Sequence, residues 1–364
     1  MQLLVFAHTP PPVHGQSLMV QTLVERLPAI VPDVKIFHVN PRLSRDTSDV
    51  GNFRFRKLLI LFAACARALA LRVRHGSMDF YYVPAPGRRA PLYRDWIVMA
   101  LCRPFFRYLI LHWHGIGLGA WLNDRATFPE RWLSQKFLGR AHLAIVLAPE
   151  LVADAQAFTP RKVAIVRNGI ADPGEPLRPT REPGSPTQIL FLGLCTPAKG
   201  IFDTLTAVAV ANRREPDAFR LTVAGGFANR WDEEAFFSQA SALGTGVVRH
   251  VGFANDEKKH ALLAETDVFC FPTTHPHEGQ PLSLIEALAH DLPIITTRWR
   301  AIPGMLPTGH VWFVNPGRPD QIADGLVAIR HAKLHAGARR QHYLALFTRE
   351  RHLADLAACL TALK

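Results

Sequence analysis

Residues 266–298 constrain the fold more than any other stretch, because they read as strand, loop, helix and strand in close succession. The run from Asp267 to Pro272 is short, apolar and aromatic, and suits a strand buried on both faces of a parallel sheet. Pro281 suits the first position of a helix, where a missing N–H costs nothing, and Leu282 to Ala289 contain no helix breaker. Pro293 to Thr297 reads as the next strand. The helix is apolar nearly all round, which implies burial on most faces, yet it carries Glu286 in its middle. A buried carboxylate needs a partner. Its side chain leans toward the helix N-terminus, where Glu278 sits in the preceding loop. The amides of Gly279, Gln280 and Leu282, with the helix dipole, form an anion site of the kind found at the C-terminal edge of a parallel sheet. Hydroxyls and a phosphate suit that place. A second reading stays open, in which Glu278 is a solvated loop acid and Glu286 a core carboxylate paired with an Arg.

A chain of 364 residues with 48% hydrophobic content can bury two ordinary cores, so two domains are expected. The five cysteines, Cys65, Cys102, Cys195, Cys270 and Cys359, are scattered and form no C-x-x-C pair, which argues against a disulfide framework and a zinc site. The start Met-Gln-Leu-Leu-Val-Phe-Ala-His has no basic leader, and no run of 18 apolar residues occurs, so neither a signal peptide nor a spanning helix is expected. Residues 1–171 carry 22 Lys and Arg against 10 Asp and Glu, whereas residues 172–364 carry 20 against 20. That asymmetry implies an acidic partner for the first half: a membrane surface, a phosphate-bearing substrate or nucleic acid. The Arg clusters lack the aromatic interleaving of a nucleic-acid groove, so no nucleic-acid partner is expected.

In chain order, Leu3 to His8 reads as a first strand, followed by a Pro-rich turn with His14 and Gly15 and a helix from about Ser17 to Leu27. Val34 to Asn40 is a second strand. Arg54 to Arg74 then reads as a helix with Phe55, Leu58, Leu59, Phe62, Ala66, Leu69 and Val73 on one face and Arg56, Lys57, Arg67 and Arg74 on the other. Ile60, Ala64 and Leu71 lie among those bases, a mixture that suits a lipid interface with the cations at the headgroups; a layer helix with a solvated basic face is the alternative. Phe80 to Val83, Tyr108 to His112, Leu143 to Ala148 and Lys162 to Arg167 are further strands, with a helix from Arg89 to Phe105. His114-Gly115 at a strand's C-terminal end falls where open α/β sheets bind ligands, while His112, still within the strand, has the stronger claim to a structural role. Ala171 to Thr187 holds five prolines and two glycines and reads as a linker. Gln188 to Leu192 opens a second α/β set, with Gly193-x5-Lys199-Gly200 at its end; Arg220 to Ala224 and Val248 to Gly252 are further strands. Asp320 to Lys333 and Ala338 to Leu363 read as closing helices, and no D-x-D pair or P-loop occurs.

Glu278-Gly279-x-Pro281-Leu282 running into Glu286-Ala287 resembles the E-x7-E signature of the family-4 retaining glycosyltransferases of the GT-B fold. The resemblance implies two Rossmann-like, doubly wound domains facing a central cleft: residues 1–171 for the acceptor, a linker over 172–187, residues 188–340 for a nucleotide sugar, and a C-terminal helix over 341–364 packing back on the first domain. By the same resemblance Glu278 holds donor-sugar hydroxyls, Glu286 the ribose, His114 stands beside the donor sugar, and Gly193 and Lys199 hold the diphosphate. Gly279, Gln280, Pro281 and Leu282 form the anion site at the helix start. Gly15 matches one of two glycines that touch donor phosphates and acceptor, His14 standing where the other would be, and Gly252 lies in the region around the base. Asn168-Gly169 resembles the hinge. Three positions depart from the pattern: Leu194 where an Arg often follows the glycine, Asp291 where Gly is usual, and the segment 309–316, which lacks the usual Asn-Gly before its strand.

The implied activity is retaining transfer of a hexose-type sugar from a nucleotide sugar to a sugar or lipid-linked acceptor, in polysaccharide or glycolipid assembly, with no cofactor and no metal. The expected location is the cytoplasm, peripherally at the inner membrane face through the basic first half. A nucleotide-sugar epimerase or phosphorylase on the same fold, or a non-catalytic membrane-associated binding protein, are the alternatives.

Overall fold

Twelve strands in the described residues form two six-stranded sheets, every neighbouring pair parallel. The computed structural model describes residues 1–42, 55–175, 181–182, 184–332 and 336–363. The chain divides into a unit made of Met1–Gly169, His277–Gln280 and Arg349–Lys364, and a second made of Ile170–Pro276 and Pro281–Thr348. Each has its own apolar core.

In the first unit the strands are β1 (Gln2–Phe6), β2 (Lys35–Val39), β3 (Asp79–Tyr82), β4 (Leu109–Trp113), β5 (Leu143–Val146) and β6 (Val163–Ile165), in the order β2-β1-β3-β4-β5-β6. The central strands β3, β4 and β5 are buried at every residue, as near-continuous apolar sequences require when helices cover both faces. The order reverses between β1 and β3, so the loops leaving those strands flank a switch point. The first helix is longer than its periodicity suggests, Gly15–Ile30, because His14 caps it: Nδ1 accepts the Ser17 amide at 3.2 Å and the Ser17 hydroxyl accepts the His14 amide at 3.0 Å. Gly15 is therefore the first residue of the helix and not part of the loop. The helix expected over 89–105 ends at Cys102 and finishes in a 3-10 turn, Arg103–Phe105.

Arg54 lies outside the described residues, and the helix after it spans Phe55–His75. Its packing face is Leu61, Ala64, Cys65 and Ala68, so Ala64, expected among the bases, is in the core. Much of the face expected to be the apolar contact points outward: Leu59, Phe62 and Val73 are 57%, 48% and 84% exposed, beside exposed Arg56, Arg67 and Arg74. Periodicity finds an apolar stripe, but the alanines and cysteine decide which side fits against neighbouring helices.

The second unit holds β7 (Thr187–Leu192), β8 (Phe219–Ala224), β9 (Val248–His250), β10 (Val268–Phe271), β11 (Ile294–Thr297) and β12 (Val311–Val314), in the order β12-β11-β10-β7-β8-β9. This is the Rossmann order, with its switch point between β7 and β10. Residues 176–180 and 183 of the expected linker lie outside the described residues, and Thr187 already belongs to β7. The closing segment is two helices, Ala338–Leu346 and Arg349–Thr361. They part at Phe347 and Thr348, where Phe347 O accepts the Ile170 amide at 3.0 Å and Thr348 forms a parallel bridge with Ile170. Leu353, Leu356 and Leu360 of the last helix lie in the core of the first unit.

Asp291 explains how a non-glycine ends the helix Leu282–Ala289. Its φ of 51° is left-handed, a conformation that Asp tolerates better than bulkier residues. Its carboxylate then accepts the amides of Gly337 at 2.6 Å, Arg339 at 3.1 Å and Arg340 at 3.2 Å, satisfying the start of the helix Ala338–Leu346.

Candidate active site

In the second unit, the loops that follow β7 and β10 carry most of the expected ligand-binding residues. After β7 comes Gly193, whose missing Cβ would stand 3.2 Å from the Phe271 ring, and then a 3-10 turn, Pro197–Lys199. The turn ends at Gly200, where φ is 84° and a Cβ would lie 2.3 Å from Pro272 O, so only glycine lets the loop close on the end of β10. The Lys199 ammonium rests 5.4 Å from the centre of the Phe271 ring. The Thr274 amide donates to Ala198 O at 2.8 Å, which ties this loop to the one after β10.

Pro281 is the residue before the helix Leu282–Ala289 rather than its first residue, and the helix start presents the Leu282 end of the dipole at the C-terminal edge of β10. Glu286, 7% exposed, has the partner that its burial demands, and it is a lysine: Lys259 Nζ lies 2.6 Å from Oε1. Burial pushes the Glu286 carboxyl above its usual range, against the opposing pull of Lys259. Burial also weighs on Lys259, but Glu286 and Asp256 outweigh it and raise the ammonium above the ordinary lysine range. Gly252, after β9, accepts the Gly225 amide at 2.8 Å.

Glu278, Gly279 and Gln280 belong to the first unit, whereas Pro281 and Leu282 belong to the second. Within the first unit this segment lies along the loop after β4. Gly279 has no room for a Cβ, which would meet His114 O at 2.5 Å, and His277 Nδ1 donates to Ile116 O at 3.0 Å. Glu278 is 7% exposed. The Gln280 side chain holds the chain: Oε1 accepts the Asn168 amide at 2.6 Å and the backbone carbonyl accepts Asn168 Nδ2 at 3.0 Å.

His114 is one of a group of buried and half-buried imidazoles at the C-terminal edge of the first sheet. Its ring centroid is 4.1 Å from that of His112, and His8 stands 4.9 Å from His14. Burial, with the neighbouring His352 and His14, holds His114 down to about 3, and burial with His8 holds His14 down to about 4. His114 is therefore neutral near pH 7. Among the described residues His114 Nε2, His8 Nε2 and Asn40 Oδ1 are buried with no hydrogen-bond partner, which leaves them able to bond a ligand. His112 sits 1% exposed with Nδ1 against the Tyr81 hydroxyl, and its Nε2 likewise has no hydrogen-bond partner among the described residues.

Lys259 and His8 were not among the residues expected at the site, and His14 was noted only as standing in place of a glycine. Lys259 lies in the charged run Asp256-Glu257-Lys258-Lys259-His260, and the signal for it is the demand of Glu286 for a cation. The histidines carried a signal too, since His8 and His114 each fall just beyond the C-terminal end of a parallel strand.

Residues 186–331 match the family described as Glycosyl transferases group 1. Among curated proteins, the chain is similar to the putative colanic acid biosynthesis glycosyltransferase WcaL of Salmonella typhimurium, 26% identical over 174 residues, which are 46% of this chain and 41% of that one. It is also similar to the phosphatidyl-myo-inositol mannosyltransferase of Mycobacterium leprae, 31% identical over 159 residues, 43% of this chain and 40% of that one. The chain thus spans about two fifths of the length of the curated relatives it matches. Sucrose-phosphate synthase from Thermosynechococcus elongatus has the same fold, with a TM-score of 0.77 at 17% identity over 100% of this chain and 99% of that one. Anabaena HepE in complex with UDP-glucose gives 0.70 at 15% identity, over 99% of both chains. The chain resembles the family-4 glycosyltransferases and has the GT-B fold, two Rossmann-like units with parallel sheets.

Proposed function

We propose that the chain is a retaining glycosyltransferase that moves a hexose-type sugar from a nucleotide-sugar donor to a sugar or lipid-linked acceptor in the assembly of cell-surface polysaccharide or glycolipid. One observation carries this reading: Lys199 and the start of the helix bearing Glu286 follow the two strands that flank the switch point of a Rossmann sheet. A nucleoside diphosphate fits that place, its phosphates at the helix N-terminus and its ribose within reach of a carboxylate. The names of the relatives, in colanic acid biosynthesis and mannosyl transfer, and the UDP-glucose bound to HepE support the substrate class.

In this mechanism the departing diphosphate gathers negative charge, which the Lys199 ammonium and the helix amides near Leu282 stabilise more strongly than they stabilise the intact donor. Glu278 holds donor-sugar hydroxyls, and neutral His114 offers a hydrogen bond beside the sugar without adding charge. The acceptor attacks from the face the diphosphate leaves, and the leaving phosphate takes the acceptor proton. No metal is required, since protein groups meet the charge.

Glu286→Gln keeps the shape of the side chain and removes its charge. It is expected to raise the donor KM by about tenfold, the scale of one charge-assisted hydrogen bond. Unchanged donor affinity together with a large loss of thermal stability would assign Glu286 to the core alone.

The exposed stripe of Leu59, Phe62 and Val73 between Arg56, Arg67 and Arg74 supports a peripheral position on an anionic membrane, where a lipid-linked acceptor resides. Vesicles containing anionic lipid are expected to bind the protein, less strongly as salt rises, with each interfacial base contributing about 1 kcal/mol. Changing Arg56, Lys57, Arg67 and Arg74 to Gln releases it and leaves donor binding intact. Equal binding to neutral and anionic vesicles, or to neither, returns the helix to the scaffold.

A further inference from the structure

The ion pair inside the second unit has no counterpart in the expected donor site, and its surroundings say what it is for. Lys259 Nζ lies 2.6 Å from Glu286 Oε1 and 2.9 Å from Asp256 Oδ1, with the Lys259 and Glu286 side chains 14% and 9% exposed. Asp256, Lys259 and His260 come from the helix Asp256–Ala264. His290 follows the helix of Glu286, its Nδ1 donating to Glu286 O at 2.9 Å, with His260 Nδ1 at 3.4 Å from its Nε2. Arg340, from the helix Ala338–Leu346, donates to Ala289 O at 2.9 Å. Among these groups Lys259 is the cation in direct contact with the Glu286 carboxylate.

We propose that Lys259 is a positioning residue for the donor, holding Glu286 as an aimed carboxylate that accepts hydrogen bonds from the vicinal hydroxyls of a nucleotide ribose. The proposal rests on the reading of Glu286 as the ribose ligand. A carboxylate offers two acceptor oxygens to a diol, whereas a carboxylic acid gives up part of that capacity to its own proton. Burial and the charge of Asp256 both push Glu286 toward the protonated form, and Lys259 opposes them. Without Lys259 those two effects act unopposed, and donor affinity falls as the pH is lowered. Burial holds His260 and His290 below the ordinary imidazole range and Lys259 adds to both shifts, so the double variant Lys259→Met/Glu286→Gln, which keeps both histidines and lacks the carboxylate, separates their titration from that of Glu286.

The test is calorimetric titration of UDP and of GDP into the wild-type protein, Lys259→Met, Lys259→Arg and Glu286→Gln, across about pH 6 to about pH 8. The nucleotide that binds the wild type is expected to do so with little change across that range. For Lys259→Met its dissociation constant rises about tenfold from the alkaline to the acid end, the scale of moving one carboxyl by one unit. Lys259→Arg restores the flat profile, and Glu286→Gln binds weakly at every pH. A flat, wild-type profile for Lys259→Met, with Glu286→Gln weakened, overturns the role of Lys259 and leaves the ribose reading standing. Wild-type affinity in Glu286→Gln, or binding of neither nucleotide, overturns the ribose reading itself.

Discussion

Replacing Lys199 by Ala is expected to cut the turnover number for nucleoside diphosphate release by about a hundredfold, the scale of one lost electrostatic contact to a transition state, with a smaller effect on donor affinity. The reason lies in what stands beside it. Leu194 occupies the position where the family resemblance leads one to expect an Arg, so in the proposed mechanism the charge of the leaving group falls on Lys199 and the start of the helix Leu282–Ala289. The loop is held for that task, since Gly200 closes it against the carbonyl of Pro272 and the Ala198 carbonyl accepts the Thr274 amide at 2.8 Å. A pre-positioned ammonium loses little in reorganising as the charge develops. EDTA is expected to leave the rate unchanged. Near-normal turnover in Lys199→Ala, or activity abolished by EDTA and restored by Mg²⁺, would contradict this account of the leaving group and reopen Glu278 and Glu286 as metal ligands.

The second large effect concerns stability. Asp291→Ala removes the acceptor of three backbone amides, leaves the 3% exposed Arg339 side chain without the carboxylate 3.6 Å away, and puts Ala at a left-handed φ. Together these are expected to lower unfolding stability by about 2 to 4 kcal/mol, read as a fall in the midpoint of thermal or denaturant unfolding. Asp291→Asn keeps the tolerance for that backbone conformation and one acceptor oxygen, and is expected to lose less. An unchanged midpoint in Asp291→Ala would show that the helix Ala338–Leu346 is held by packing alone.

Asp291 also illustrates what the sequence could and could not convey. Eleven of the twelve strands were legible from the residues, because parallel strands are apolar runs bounded by Gly, Pro and polar residues, while β12 entered only through the family resemblance; the fold follows from their alternation with helices. What failed to show was side-chain chemistry acting across distant segments. An Asp where Gly is usual left the helix end undefined in the sequence, whereas its carboxylate reaches 46 residues along the chain to Gly337. Glu286 plainly demanded a partner, but nothing in local spacing singled out Lys259 from Lys258 beside it. The face of the helix Phe55–His75 was misjudged for a related reason: small residues such as Ala64 and Ala68 are buried by the close approach of neighbours, which periodicity does not report. The break at Phe347 was hidden because it is Ile170, far away in sequence, that pairs with that segment. The candidate site was legible where backbone geometry dictates it, at Gly200 and Gly279, and least where neutral histidines gather, since their burial is a property of the assembled sheet edge.

The central claim, that the chain handles a nucleotide sugar without metal, is tested most directly by incubating the wild-type protein in EDTA with a panel of UDP- and GDP-sugars, following both the melting temperature and the release of nucleoside diphosphate. At least one nucleotide sugar is expected to raise the melting temperature, as any ligand of the folded state does, and to be consumed with release of its nucleoside diphosphate. A melting temperature that no nucleotide sugar changes, with none consumed, would contradict the account.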